Sequence, residues 1–290
     1  IHPLPVQCDI FYRGYLFSVI CENQFLIDDI PLYNANHLLG FFSVFNSDAV
    51  KNVNFYKSSF PARYGGHLSS IMDIRLKEGN LQEYHGSFSI GLLSSKFNIE
   101  GPIERNRSSF NITARRTYLD LLGAPIYAAI NNTKDSKEKI GYNFTDINIK
   151  LTRIFSQQNA LSLILFYGND YLKYKKDEKE SYYIEPDRTR DYMRGTWGNW
   201  GVGLRWDKMI STGLYANTVL SYNQYRAFMN KKYRHENASG DTIRLKKIRF
   251  KSGQEEWRLK SDLTWAMKPF VFWGTLHLSC FHTRKTNNSQ

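Results

Sequence analysis

The sequence predicts a mostly β chain, a fragment of a large antiparallel transmembrane β-barrel preceded by part of a small α/β domain. Three observations predict it. From about Tyr84 onward the chain falls into segments that alternate apolar and polar residues with the period of two expected of strands. Beyond the first hairpin, short and long connections alternate strictly, as in outer-membrane barrels with short turns on one side and long loops on the other. Aromatic residues make up 15% of the chain, with 19 Phe, 19 Tyr and 6 Trp, a level suited to membrane-interface belts. No stretch approaches the roughly 18 consecutive apolar residues that a membrane helix needs, and 161–167 is among the longest candidates. A membrane crossing by this chain is therefore made with strands.

Along the first 84 residues, short strand-like runs mix with turns. Residues 25–30 read as a strand, 47–51 as a helical turn opened by Ser47 and Asp48, and 53–56 and 71–76 as further strands. The domain boundary is placed at 83/84. Residues 1–20 lack the basic start, apolar core and cleavage site of a signal peptide, which is expected to be absent from this fragment.

Downstream, Phe110, Ile112 and Ala114 oppose Asn111, Thr113 and Arg115, and Ile147, Ile149 and Leu151 oppose Asp146, Asn148 and Lys150. The pattern repeats with Trp200, Val202, Leu204 and Trp206 against Gly201, Gly203 and Arg205, and with Trp257, Leu259, Leu263 and Trp265 against Arg258, Lys260 and Asp262. On this reading Ile149, Leu204 and Leu263 face lipid, while Asn148, Gly203 and Asp262 face the lumen, where Arg is expected to be tolerated better. Turns are expected near Leu92–Leu93 and at 104–107, 156–159, 210–213 and 267–269, and long polar loops at 120–143, 172–194 and 230–247. Phe155, Trp206 and Trp265 sit near the short turns, as a periplasmic aromatic girdle would. About nine strands are expected over 84–290, with the barrel continuing beyond Gln290.

The net charge of +12 is uneven: residues 1–84 hold 6 Lys/Arg against 8 Asp/Glu, leaving 33 against 19 for 85–290. Half of that excess lies in 226–251, where 9 basic residues face 2 acidic ones. A nucleic-acid reading would use this stretch, but no nucleic-acid motif accompanies it. Proximity to anionic lipid headgroups or to an anionic ligand is the favoured reading, and no nucleic-acid partner is expected. Cys8, Cys21 and Cys280 define no disulfide framework, and the seven histidines show no metal-ligand spacing, so neither metal nor cofactor is expected. Asp28 and Asp29, if on a strand, point to opposite faces and form no acid/base pair. No nucleophile and base are nominated, and the chain is read as not an enzyme.

One stretch is more specific. Asp48-Ala49-Val50-Lys51-Asn52-Val53-Asn54-Phe55-Tyr56-Lys57, then Phe60-Pro61-Ala62-Arg63-Tyr64-Gly65-Gly66 and Ser69-Ser70-Ile71-Met72-Asp73-Ile74-Arg75-Leu76-Lys77-Glu78-Gly79, resembles the end of the plug domain of TonB-dependent outer-membrane receptors. Ile27-Asp28-Asp29-Ile30-Pro31-Leu32-Tyr33-Asn34 is similar to another plug segment. The run from His37 to Asn46 matches a subgroup that often carries an N-terminal carboxypeptidase-regulatory-like domain. The stretches 91–96, 100–103 and 114–120 resemble the first barrel strands. Arg13-Gly14 departs from the plug's Arg-Gly-Gly element at Tyr15, so no role is carried onto residues 1–22.

The resemblance implies an outer-membrane transporter that captures a scarce solute and moves it into the periplasm, driven by the TonB complex of the inner membrane. Expected partners are that complex, a small solute, and outer-membrane lipid or lipopolysaccharide. Arg63, Tyr64, Gly65 and Gly66 would form a plug turn. Tyr33, Asn34, Asn36 and His37 are the candidate apical ligand contacts, with packing of this loop against the barrel wall as the alternative. A binding or signalling barrel without active transport is the alternative function.

Overall fold

The computed structural model describes residues 23–57, 61, 63–64, 70–131, 136–180, 187–237, 239–267 and 270–289. Gly65 and Gly66 of the expected turn, Cys8 and Cys21, and the departure at residues 1–22 lie outside the described residues. Cys280 is free and exposed.

The N-terminal part is built on a four-stranded sheet of β1 (Gln24–Ile27), β2 (Ile30–Leu32), β5 (Val50–Lys57) and β6 (Ser70–Leu76), in the order β2-β1-β6-β5. A short pair, β3 (Asn36–His37) and β4 (Phe42–Ser43), flanks the 3-10 turn Leu38–Gly40. The expected helical turn at 47–51 is a single turn that ends early, since Val50 already opens β5. Ile27, Ile30, Leu32, Val44 and Leu76 form its core.

The rest is one antiparallel sheet of nine strands among the described residues, in chain order from β7 to β15. They are β7 (His85–Ile90), β8 (Ser94–Glu104), β9 (Ser108–Thr117), β10 (Ser136–Ser156), β11 (Asn159–Glu180), β12 (Asp187–Ser211), β13 (Leu214–Glu236), β14 (Thr242–Met267) and β15 (Phe270–Ser289). The architecture is the mostly β one expected: a barrel wall and a small N-terminal plug. Among the described residues no helix is long and apolar enough to cross a membrane.

The wall is inverted relative to a soluble sheet. Its polar face is buried against the plug: Asn148, Lys150, Asp170, Asn223, Glu256 and Lys260 are all at most 8% exposed. Its apolar face is bare, with Leu204 at 42% and Trp257 at 57%. The apolar run at 161–167 has a double cause. Leu161, Leu163 and Leu165 look outward, while Ile164 and Phe166 complete the plug's own core.

Two expectations are corrected. The long loops at 120–143, 172–194 and 230–247 are largely not loops: β11 runs to Glu180 and β12 starts at Asp187, so only 181–186 connects them, and only 237–241 connects β13 to β14. The polar residues pair across unbroken ladders, as in Lys173↔Arg194 and Lys232↔Lys247. A strand wet on both faces keeps its backbone hydrogen bonds but has no apolar period to read. The 120–143 stretch holds helix α1 (Leu119–Asn131) and the start of β10. The lumen face is also not open at plug level. A Cβ on Gly203 would lie 2.5 Å from Cδ1 of Ile30, so the absence of a side chain there is what lets the plug approach. Asp262 lies within 3.4 Å of Arg63. Arg is therefore not expected to be tolerated at either position.

The short connections near 105–107, 157–158 and 212–213 lie at one end of the sheet, where Gly213 takes φ +90 in its turn. The strand ends at Thr117, Ser136, Glu180, Asp187, Glu236 and Thr242 lie at the other.

Candidate functional site: the plug–wall interface

The β1–β2 hairpin turns through Asp28 and Asp29, with φ of 47° and 70°, the positive values that a two-residue turn of type I′ demands. Asp28 and Asp29 are thus turn residues rather than strand residues, and both carboxylates enter one ionic cluster. Arg75 of β6 lies 2.6 Å from Asp29 and 2.9 Å from Asp73. The wall supplies the remaining cations. Lys150 lies 3.2 Å from Asp28, Lys260 lies 2.8 Å from Asp29, and Arg205 stands 3.9 Å and 3.8 Å from the two. Burial works against the charge on Asp29, but Arg75, Lys260 and Arg205 outweigh it and hold its carboxyl well below the usual range. On Asp28 burial prevails over Lys150, Arg75 and Arg205 and pushes the carboxyl up.

Arg63 and Tyr64 of the expected plug turn join this cluster. The Tyr64 hydroxyl donates to Asp73 at 2.8 Å, and Arg63 reaches Asp29 at 3.5 Å and Asp262 at 3.4 Å. Burial and Asp73 raise the Tyr64 pKa.

Higher on the wall, His37 sits between two carboxylates, with Nε2 2.7 Å from Asp146 and Nδ1 2.8 Å from Asp170. A carboxylate only accepts, so two carboxylates facing the two ring nitrogens favour the ring with a proton on each. It is stacked on Phe144 at 4.0 Å, and Arg115 lies over that ring at 4.9 Å while pairing with Asp146 at 2.6 Å. The Tyr142 hydroxyl donates to Asp170. Burial lowers the His37 pKa, but hydrogen bonds from its ring to Asp146 and Asp170 prevail and raise it to about 8.

Of the other candidate ligand contacts, Tyr33 and Asn34 also meet the wall. The Tyr33 hydroxyl donates to Glu256 at 2.6 Å, and burial raises the Tyr33 pKa together with that bond. The Asn34 carbonyl accepts from Asn199 at 2.8 Å, and Asn36 is half-buried in β3. His37 is 1% exposed. Sequence reasoning did not pair His37 with Asp146 and Asp170, nor Asp28 and Asp29 with Lys150 and Lys260. The available signal was parity, since Asp146, Lys150 and Lys260 all fall on the polar side of their strands.

This arrangement is two chains of buried charge seating a small domain on the inner face of a large sheet. Among solved structures, the ferric citrate transporter FecA in its unliganded form aligns with a TM-score of 0.50 over 95% of this chain and 50% of that one, at 9% identity. At that identity, what the two share is the fold. The outer membrane transporter YddB from Escherichia coli gives a TM-score of 0.42 over 92% of this chain and 50% of that one, at 10% identity. The chain spans half the length of these structures. No family model and no curated protein matches the sequence.

Proposed function

We propose that this protein is a TonB-dependent outer-membrane receptor of a Gram-negative bacterium that takes a scarce solute, such as an iron chelate, oligosaccharide, peptide or vitamin, into the periplasm. In this reading residues 1–83 belong to the C-terminal part of the plug and 84–290 to the first barrel strands, and the protein is not an enzyme. The observation that carries the membrane assignment is the inverted wall, because a sheet with buried charges and bare Leu and Trp is stable only where lipid covers its outer face. Tyr33, Asn34 and Asn36 would present their remaining exposed surface to the solute, while His37 fixes the loop that carries them. The force that moves the plug would come from the TonB complex.

The test is uptake. The full-length receptor should fractionate with the outer membrane and come out only with detergent, and candidate solutes should accumulate in the periplasm only when the TonB complex is intact. Extraction into plain buffer would refute the membrane assignment. Membrane residence with uptake unchanged by loss of the TonB complex would replace active transport by the binding or signalling barrel.

A further inference from the structure

On the outward face an aromatic row closes the apolar band, with Trp200 and Tyr222 5.2 Å apart and Tyr222 and Trp257 4.8 Å apart. Above this row, toward the end bearing α1, β10 to β14 continue unbroken, so the side chains turned inward follow from parity with Asp146 and Asp170. Cross-strand pairing sorts them into level rows. Asp170, which holds His37, shares its row with Trp197. The next row runs Tyr142, Leu172, Gly195, Met229, Phe250. The one after runs Ile140, Tyr174, Met193, Lys231, Ile248. Higher still the inward face is polar again, with Glu138, Lys176, Asp191, Tyr233 and Lys246.

The two middle rows break the rule that a barrel lines its lumen with polar side chains. The Leu38 amide donates to the Tyr142 hydroxyl at 2.8 Å, so the tip of the plug lies at the lower of them. Leu172, Met193, Met229, Ile248 and Phe250 nevertheless stay only half-buried, and Ile140 is exposed. Apolar side chains left in a wet lumen contribute nothing to the fold, but they do bind an apolar surface brought to them. A Cβ on Gly195 would lie 3.2 Å from Cζ3 of Trp197, so the indole lies along the wall over the glycine and extends the apolar surface down to the level of His37. On the plug side Phe41, at the tip of the β3–β4 loop, is 81% exposed.

The charge beside this surface is positive. Lys231 stands in the upper apolar row and Lys246 in the row above, diagonal to each other because Lys231 pairs with Ile248 and Lys246 with Tyr233. Neither makes an ion pair among the described residues, and the inward positions of β13 and β14 around them hold no acid. We propose that the solute carries an extended apolar face and an acidic group, with Met193, Met229 and Phe250 meeting the face and Lys231 the acid, an assignment that rests on the receptor reading. The two rows span five strands, about 20 Å, and stand about 7 Å apart, which suits a flat body. Methionines adapt to such a body without a fixed shape of their own. An oligosaccharide fits poorly, because only Tyr142, Tyr174 and Lys231 carry polar side-chain atoms in these rows and the Tyr142 hydroxyl is already bonded to Asp170, so sugar hydroxyls would lie unpaired.

The test uses the full-length protein in lipid nanodiscs, with empty nanodiscs as the blank, and measures binding of pyrene tetrasulfonate, a flat polyaromatic anion too charged to enter a bilayer. Maltoheptaose and inorganic sulfate are the comparisons, one polar and neutral, the other an acid without an apolar face. Pyrene tetrasulfonate should bind saturably, and neither comparison should displace it. Met193→Asn with Met229→Asn should weaken binding roughly a hundredfold, at about tenfold per side chain, while keeping the parent's resistance to unfolding in cold detergent. Met193→Leu with Met229→Leu should retain affinity. Lys231→Gln should weaken binding about threefold to fivefold and flatten its dependence on salt. Absence of saturable binding, unchanged affinity in the Asn variant, or displacement by maltoheptaose or sulfate would overturn the assignment. None of these outcomes touches the receptor reading, whose own failure is extraction into plain buffer or uptake indifferent to the TonB complex.

Discussion

A histidine between two buried aspartates makes the hold of plug on wall depend on pH. The His37 pKa rises from 6.5 to about 8 in the folded protein, so folding binds the proton more tightly. This contribution, about 2 kcal/mol, is fully present below the unfolded pKa and is lost as pH rises through the folded one. Thermal unfolding of the detergent-solubilised protein should therefore show a loss of stability between about pH 6.5 and pH 8 to 9 that is absent from His37→Gln. An identical pH profile in both proteins would mean that the ring is not charged. His37, Asp146 and Asp170 are far apart in sequence, so only the residue types were legible beforehand; the triad depends on the β3 loop meeting inward positions of β10 and β11.

At the scale of the element, the strands make two predictions. Single cysteines at Lys179 and Ser239 should react with an impermeant thiol reagent on intact cells, and those at Gln157 and Thr212 should not, because the two sets lie at opposite ends of the sheet. Labelling that mixes the sets would break the topology. On the outward face, if the proposed membrane reading holds, Arg at Ile149, Leu204 or Leu263 should cost about 2–4 kcal/mol near mid-bilayer, measured as loss of folded protein from the membrane fraction. Leu263 and Trp265 lie between the aromatic row and the short turns, on the part of β14 nearest Met267. Arg at Gly203 should leave the wall assembled but unseat the plug, because the new side chain meets Ile30. The short turns and the alternating core of each strand were legible in sequence. The upper halves were not, since polar residues on both faces of a paired strand resemble a loop.

For the whole molecule, the ionic cluster decides whether the plug closes the wall. Removing one partner from a buried ion pair costs about 3–5 kcal/mol, because it strands the other charge. Lys150→Met with Lys260→Met should strip Asp28 and Asp29 of their nearest wall cations. Wall pairing from β7 to β15 does not depend on these contacts, so on the proposed function the protein's abundance should stay near normal while cells become sensitive to large antibiotics. Normal abundance without any leak would show that other contacts alone hold the plug.

The sequence by itself determined the elements that depend on local pattern. Period-two alternation set the outward and inward faces of the wall, the turn residues set its short connections, and the plug resemblance ordered the two parts along the chain. These are properties of neighbouring residues, and they survive without knowledge of what a strand packs against. The tertiary structure alone decided which charges meet. Asp28 lies 122 residues from Lys150, and Asp29 lies 231 from Lys260, and no spacing rule links positions that the sheet brings together only by register. It also decided that cations of different strands stand side by side on the outward face, as at Lys139↔Lys175 and Lys232↔Lys247, because a shift of one residue in either ladder would turn one partner to the other face.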